Sequence, residues 1–81
     1  MDAITPSPLT PERMRADVAE ILGEPPGSLR DDDNLIDLGL DSVRTMALVQ
    51  RWRAAGARIE LAEFIEAPSL RGWWAIVARG L

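Results

Sequence analysis

The run Asp33-Asn34-Leu35-Ile36-Asp37-Leu38-Gly39-Leu40-Asp41-Ser42-Val43 places a serine where an aspartate-rich loop gives way to a helical pattern. A hydroxyl at such a junction is exposed. It stands beside backbone N–H groups with no intrahelical partner and beside the positive end of the helix dipole. A phosphate ester on Ser42 would be stabilised electrostatically there. Gly39 lets the backbone turn tightly and keeps bulk away from the approach to Ser42, while Asp41 supports the helix start. The chain has no His and no Lys to activate Ser42 as a nucleophile, so any reaction at this hydroxyl must be driven by another enzyme. Asp and Ser are also common N-caps, and the local spacing is equally served by a cap with no chemistry at all.

The composition narrows the choice. With no Cys and no His there is no disulfide, no thiol of the protein's own, no Ser-His-Asp triad and no zinc site of the usual kind. The expectation is a protein that is not an enzyme, with no catalytic residue and no metal. The 81 residues allow one small domain, which buries roughly 60–65% of its unfolded surface. Nine basic residues, all Arg, stand against 13 acids for a net charge of −4. That balance argues against nucleic acid, whose affinity comes largely from cations that release counterions. Met1, Asp2 and Ala3 open no signal sequence, and the apolar run from Trp73 to Ala78 falls far short of a membrane span. A cytoplasmic, soluble monomer is expected.

The elements that must position Ser42 can be read from caps and periodicity. Residues 1–9, with Pro6, Ser7 and Pro8, read as a flexible N-terminal lead to a domain at 10–81. Thr10 is an N-cap, Pro11 suits the first helical position, and Leu9 with Met14 has the spacing of a hydrophobic staple. Met14, Val18, Ile21 and Leu22 then give helix I from about Pro11 to Leu22, ended by Gly23, Pro25 and Pro26. Residues 23–40 form a long loop whose Leu35, Ile36, Leu38 and Leu40 should pin it. Helix II starts at Asp41 or Ser42 and stops at Gly56. Helix III is short, from about Glu60 to Ala67. Ser69 caps helix IV, where Leu70, Trp73, Trp74 and Val77 recur at i, i+3, i+4 and i+7. The fold class is all-α: a small four-helix bundle with three longer helices, a short helix III and a long first loop.

Helix II carries two apolar stripes. Leu48, Val49 and Trp52 lie within about 100° of one another, and Val43, Met46 and Ala47 cluster nearly opposite. Trp52 needs burial most, so its stripe is assigned to the core and Val43 and Met46 become candidates for partner contact. The alternative is a central helix buried on both sides. On helix III, with Phe64 inward, Leu61 and Ile65 are open to either a rim or a core position.

The run Leu38-Gly39-Leu40-Asp41-Ser42 resembles the modification site of the carrier proteins of fatty acid, polyketide and nonribosomal peptide synthesis. The segments Asp32 to Asp37, Asp41-Ser42-Val43-Arg44, Met46-Ala47-Leu48, Trp52-Arg53 and Trp73-Trp74 narrow this further. They are similar to aryl carrier domains, especially the one fused behind isochorismatase in catecholate siderophore assembly. The similarity covers residues 31–77. Fatty acid carriers usually have more acids on helix II, whereas this helix offers Arg44, Arg51 and Arg53 and no acid after Asp41. No isochorismatase part is present, which implies a free-standing carrier or an excised domain.

The resemblance implies an acyl-carrier-type bundle in which a phosphopantetheinyl transferase places 4′-phosphopantetheine from coenzyme A on Ser42. It further implies that an aryl-AMP ligase loads an aryl acid, of salicylate or dihydroxybenzoate type, as a thioester on the arm. A condensation or cyclisation domain then receives it. The partner-facing positions it implies are Val43, Met46, Leu61 and Ile65, the first two of which the helical wheel reaches independently. A peptidyl or polyketide carrier shares Ser42 and differs in cargo. A helical interaction module would use Ser42 as a cap only.

Overall fold

A computed structural model describes residues 9–79. Four α-helices and no strand occur among them: α1 Pro11–Leu22, α2 Ser42–Ala54, α3 Leu61–Glu66 and α4 Leu70–Arg79, with a single 3-10 turn at Pro26–Ser28. The expected lead lies outside the described residues except for Leu9, which is buried. Leu9 therefore packs as part of the domain, as the N′ member of a staple whose other member, Met14, is also buried. Thr10 Oγ1 accepts from Arg13 N at 3.1 Å, and Gly23 closes α1. None of these helices is long and apolar enough to cross a membrane.

Each helix turns one face inward. Met14, Val18 and Ala19 of α1 meet Leu48, Val49 and Trp52 of α2, Phe64 of α3 and Leu70, Trp73 and Val77 of α4 in one core. Its centre is aromatic. Phe64 stacks on Trp73 with centroids 4.5 Å apart, and Trp52 meets both rings, edge-on to Trp73 at 6.0 Å and tilted to Phe64 at 5.8 Å. Such pairs add about 0.5–1.5 kcal/mol each beyond the area they bury. The indole donors are satisfied as well: Trp52 Nε1 donates to Asp17 Oδ2 at 2.8 Å and Trp73 Nε1 to the Phe64 carbonyl at 2.9 Å. Trp74, one step round α4, is only half-buried.

The α3–α4 corner is tight. A Cβ on Gly72 would stand 2.9 Å from Ala67 Cβ and 3.1 Å from the Ala67 carbonyl oxygen, so only glycine lets α4 start so close to the end of α3. Ser69 Oγ caps α4 by accepting from Gly72 N at 3.0 Å. At the surface, ion pairs tie segments together. Arg71 holds the Asp32 carboxyl below the usual carboxylate range, and Arg79 does the same for Glu63. Both carboxylates are open to solvent, where such pairs contribute little.

Helix II departs in detail from the expected two stripes. Leu48, Val49 and Trp52 are fully buried and Val43 is 77% exposed. Met46 is half-buried and packs on the core edge, because its direction falls between the two stripes. Thr45 joins the core face although it is polar; its hydroxyl donates to the Asp41 carbonyl at 2.7 Å, which removes the cost of burial. The centrally buried alternative is excluded, since Val43, Ala47, Gln50 and Ala54 form an exposed outer face.

The stacked Trp73 is the most consequential side chain in this core. Trp73→Ala is expected to destabilise the domain by about 3–5 kcal/mol, a large part of the roughly 4–12 kcal/mol that a chain of this size has. A chemical melt in which the variant matches wild type would contradict the packing described.

Candidate functional site

The site is built by the loop that precedes α2. Leu35 and Leu40 are fully buried and act as its anchors. Between them the chain turns back on itself: Leu38 N and Leu40 N both donate to the Leu35 carbonyl, at 3.2 and 3.0 Å, and Gly39 N donates to the Ile36 carbonyl at 3.0 Å. Asn34 Oδ1 accepts from Ile36 N at 2.9 Å and from Asp37 N at 3.3 Å, holding the entry to the turn. Gly39 has φ +111°, a conformation that side-chain-bearing residues rarely adopt. Ile36 and Leu38, expected to help pin the loop, are instead 46% and 45% exposed. Residues 36–39 all lie on the outer side of this turn, between the buried Leu35 and Leu40.

What sequence reasoning missed is how the loop is fastened to the bundle. Leu35 N donates to the Pro68 carbonyl at 2.8 Å, and Arg71 N donates to the Asp31 carbonyl at 2.9 Å, so both bonds reach the α3–α4 corner. Arg71 Nε also meets Asp32 Oδ1 at 2.5 Å, and Arg15 binds the Leu29 carbonyl and Asp31 from α1. Buried Leu29 adds a third apolar anchor. Backbone-to-backbone bonds leave no mark on residue type. The pairing of Arg15 and Arg71 with an aspartate-rich loop was the one signal available.

At the end of this fixed loop the cap and the hydroxyl are assigned to different residues. Asp41 is the N-cap: its Oδ1 accepts from Arg44 N at 2.8 Å and its carbonyl accepts from Thr45 N at 2.9 Å. Ser42 is the first helical residue, is exposed, and its hydroxyl has no hydrogen-bond partner among the described residues. The amides of Ser42 and Val43 likewise have no acceptor there. A phosphate ester on Ser42 would therefore find two free donors and the positive end of a 13-residue helix. Ser42 is itself exposed, and the residue three before it, Gly39, has no side chain.

The remaining expected site residues divide by exposure. Val43 and Ile65 stand out from the surface, Ile65 at 48% exposed, whereas Met46 and Leu61 are half-buried with one side against the core. Leu61 and Ile65 thus take the rim position left open by the periodicity, with Phe64 between them pointing inward.

Comparison with known proteins agrees with this architecture. Residues 12–77 match the family described as phosphopantetheine attachment site. The chain is 44% identical over 64 residues to an isochorismatase of Bacillus subtilis, covering 79% of this chain and 20% of that protein. It is 38% identical over 73 residues to the acyl carrier protein ScoB of Streptomyces coeruleorubidus, covering 90% of this chain and 86% of ScoB. It is 41% identical over 69 residues to the phenyloxazoline synthase MbtB of Mycobacterium tuberculosis, covering 85% of this chain and 5% of the synthase. The chain thus spans most of one relative and a small part of the other two. With the family match covering nearly the whole packed domain, the chain belongs to the phosphopantetheine attachment family: it is a carrier protein whose cofactor is covalently held 4′-phosphopantetheine, and it catalyses no reaction itself.

Proposed function

We propose that Ser42 is the residue that carries phosphopantetheine and that the cargo is an aryl acid bound as a thioester. The observation that carries the first part is the division of labour at the start of α2. Asp41 does the capping, so Ser42 keeps a free, exposed hydroxyl beside two unpaired amides. In the transfer, Ser42 Oγ forms a new bond to the β-phosphorus of coenzyme A as the bond to 3′,5′-ADP breaks. The hydroxyl proton passes to a base of the phosphopantetheinyl transferase, since this chain has no His or Lys to take it. When attached, the arm supplies the thiol that a chain without Cys lacks. An arm of roughly 20 Å, the span of about six extended residues, lets a small rigid bundle reach active sites it cannot enter.

The aryl assignment is supported by the relatives. One is named an isochorismatase, and another a phenyloxazoline synthase, whose product has a phenyl group that an aryl acid would supply. An aryl-AMP ligase would load the arm and a condensation or cyclisation domain would take the acyl group away. The likeness to ScoB, named an acyl carrier protein, favours a second reading in which the cargo is another acyl group. Val43, Met46, Leu61 and Ile65 would form the surface on which these partners dock. Val43 and Ile65 offer exposed apolar area, while Met46 and Leu61 connect it to the core.

Incubation with a promiscuous transferase and coenzyme A is expected to add one phosphopantetheine, read as intact mass. Ser42→Ala is expected to add none while melting within about 0.5 kcal/mol of wild type, as a substitution at an exposed residue should. Modification of Ser42→Ala would contradict the assignment. A loading panel on the holo protein is expected to favour salicylate and dihydroxybenzoate over amino acids and malonyl groups. The reverse preference would support the acyl reading. For the docking surface, Val43→Asp and Ile65→Asp are expected to stay folded yet slow aryl loading or delivery by about tenfold or more, because a carboxylate would be desolvated in an apolar contact. Folded variants with unchanged loading and delivery, or variants that unfold, would refute the surface.

A further inference from the structure

Gly72 lies in the first turn of α4, where glycine weakens a helix and alanine would favour it. The reason it stands there is contact. Among the described glycines it alone would bring a Cβ within 3 Å of a neighbour: 2.9 Å from Ala67 Cβ, with the Ala67 carbonyl oxygen at 3.1 Å and Ser69 Oγ at 3.2 Å. Ala67 has no long side chain that could swing aside. To bring 2.9 Å to the 3.4 Å of ordinary contact, the two sides have to part by at least 0.5 Å. Helix α4 is not the side that gives way, because Trp73, the next residue, stacks on Phe64 of α3 and donates Nε1 to the Phe64 carbonyl at 2.9 Å. The part that yields is the corner between the two helices: Ala67, Pro68 and Ser69.

That corner holds the loop that presents Ser42. The Pro68 carbonyl accepts from Leu35 N at 2.8 Å, and an opening of 0.5 Å along this bond would lengthen it to about 3.3 Å, beyond the ordinary range. Leu35 is the hub of the turn: its carbonyl accepts from Leu38 N and Leu40 N, and Leu40 leads straight into the cap Asp41. The loop has a second tie, from Arg71 N to the Asp31 carbonyl at 2.9 Å, and this one belongs to α4. A corner displaced against α4 sets the two ties against each other, and the turn between Leu35 and Ser42 takes up the difference. We propose that Gly72 is a positioning residue for the modification of Ser42, acting through Ala67, Pro68 and Leu35 rather than by contact with the reacting atoms. This rests on the reading of Ser42 as the attachment residue. A reacting atom misplaced by about 1 Å can cost on the order of 10²-fold in rate, so the effect of crowding the corner belongs in kcat.

The test uses the full apo chain, a phosphopantetheinyl transferase and coenzyme A, with initial rates followed by intact mass at a temperature where melts show each variant folded. Gly72→Ala is expected to lower kcat about tenfold with KM for the carrier and for coenzyme A unchanged. By NMR its Leu35 amide should exchange faster than in wild type, while the Trp52 amide, inside α2, should not. Ala67→Gly alone should keep the wild-type rate. Combined with Gly72→Ala it removes the 2.9 Å contact and should recover about threefold of the loss, the contacts at 3.1 and 3.2 Å remaining. The control for stability is Val77→Ala, which loses core packing in the same helix about 7.5 Å further along. It should melt lower and be modified at the wild-type rate, since a folded chain with an undisturbed corner presents Ser42 normally. If Gly72→Ala does not fold, Ala67→Val, which crowds the same contact from the side of α3, is read in its place by kcat and by Leu35 exchange. A wild-type kcat with the corner crowded, an unchanged Leu35 amide, no recovery in the double variant, or an equal loss in Val77→Ala would each overturn the proposal. Failure of the Ser42 reading has a different signature, an added mass that is absent in wild type or survives Ser42→Ala, and would remove the proposal with it.

Discussion

Burial of Leu35 and Leu40, together with the hydrogen bond from Leu35 N to the Pro68 carbonyl, is the constraint on which the rest of the molecule depends. The connection between α1 and α2 is long for so small a domain, and an unfastened loop of that length would leave the start of α2 poorly placed. The two leucines convert it into a fixed element by taking positions in the same core that the helices share. The Leu35 bond joins the loop to the α3–α4 corner, where Gly72 permits a close approach. The location of Ser42 is thus set by contacts from distant parts of the chain. A hydroxyl on a helix tip that did not move would be a fixed target for an enzyme arriving from solution.

The aromatic cluster plays the matching role for the helices. Trp52 belongs to α2, Phe64 to α3 and Trp73 to α4, so one stack registers three helices against one another. Asp17 brings in the fourth by accepting the Trp52 indole proton, and Arg51 beside it shares the charge. The polar atoms at the core boundary are therefore used to orient rings. The charged pairs further out, such as Arg71 with Asp32, guide the loop and add little energy in open solvent.

Much of this could be read in the chain before any coordinates, because it depends on local chemistry. Thr10, Pro11 and the Met14, Val18 series define α1 to the residue, and the Trp52 stripe identified the buried face of α2. The site was legible as far as the Gly39-Leu40-Asp41-Ser42 run, but not which of Asp41 and Ser42 was the cap, since both side chains suit the role. Only the bond between Asp41 Oδ1 and Arg44 N decides it. Thr45 was not seen as a core residue, because a hydroxyl is buried at low cost only when its own helix accepts the proton. The exposure of Ile36 and Leu38 was hidden for a similar reason. Apolar residues in a turn carry no period, and which of them point inward follows from backbone bonds between residues of any type.

The central claim is that a rigidly held loop presents Ser42 at a helix tip whose cap is Asp41 and whose first amides are free. Amide hydrogen exchange of the apo protein, resolved residue by residue by NMR, tests it most directly. The account predicts that Leu35, Arg44 and Thr45 amides are protected well above unfolded rates while those of Ser42 and Val43 exchange fast. Protection of Ser42 and Val43, or exchange of Leu35 and Arg44 at unfolded rates, would contradict it.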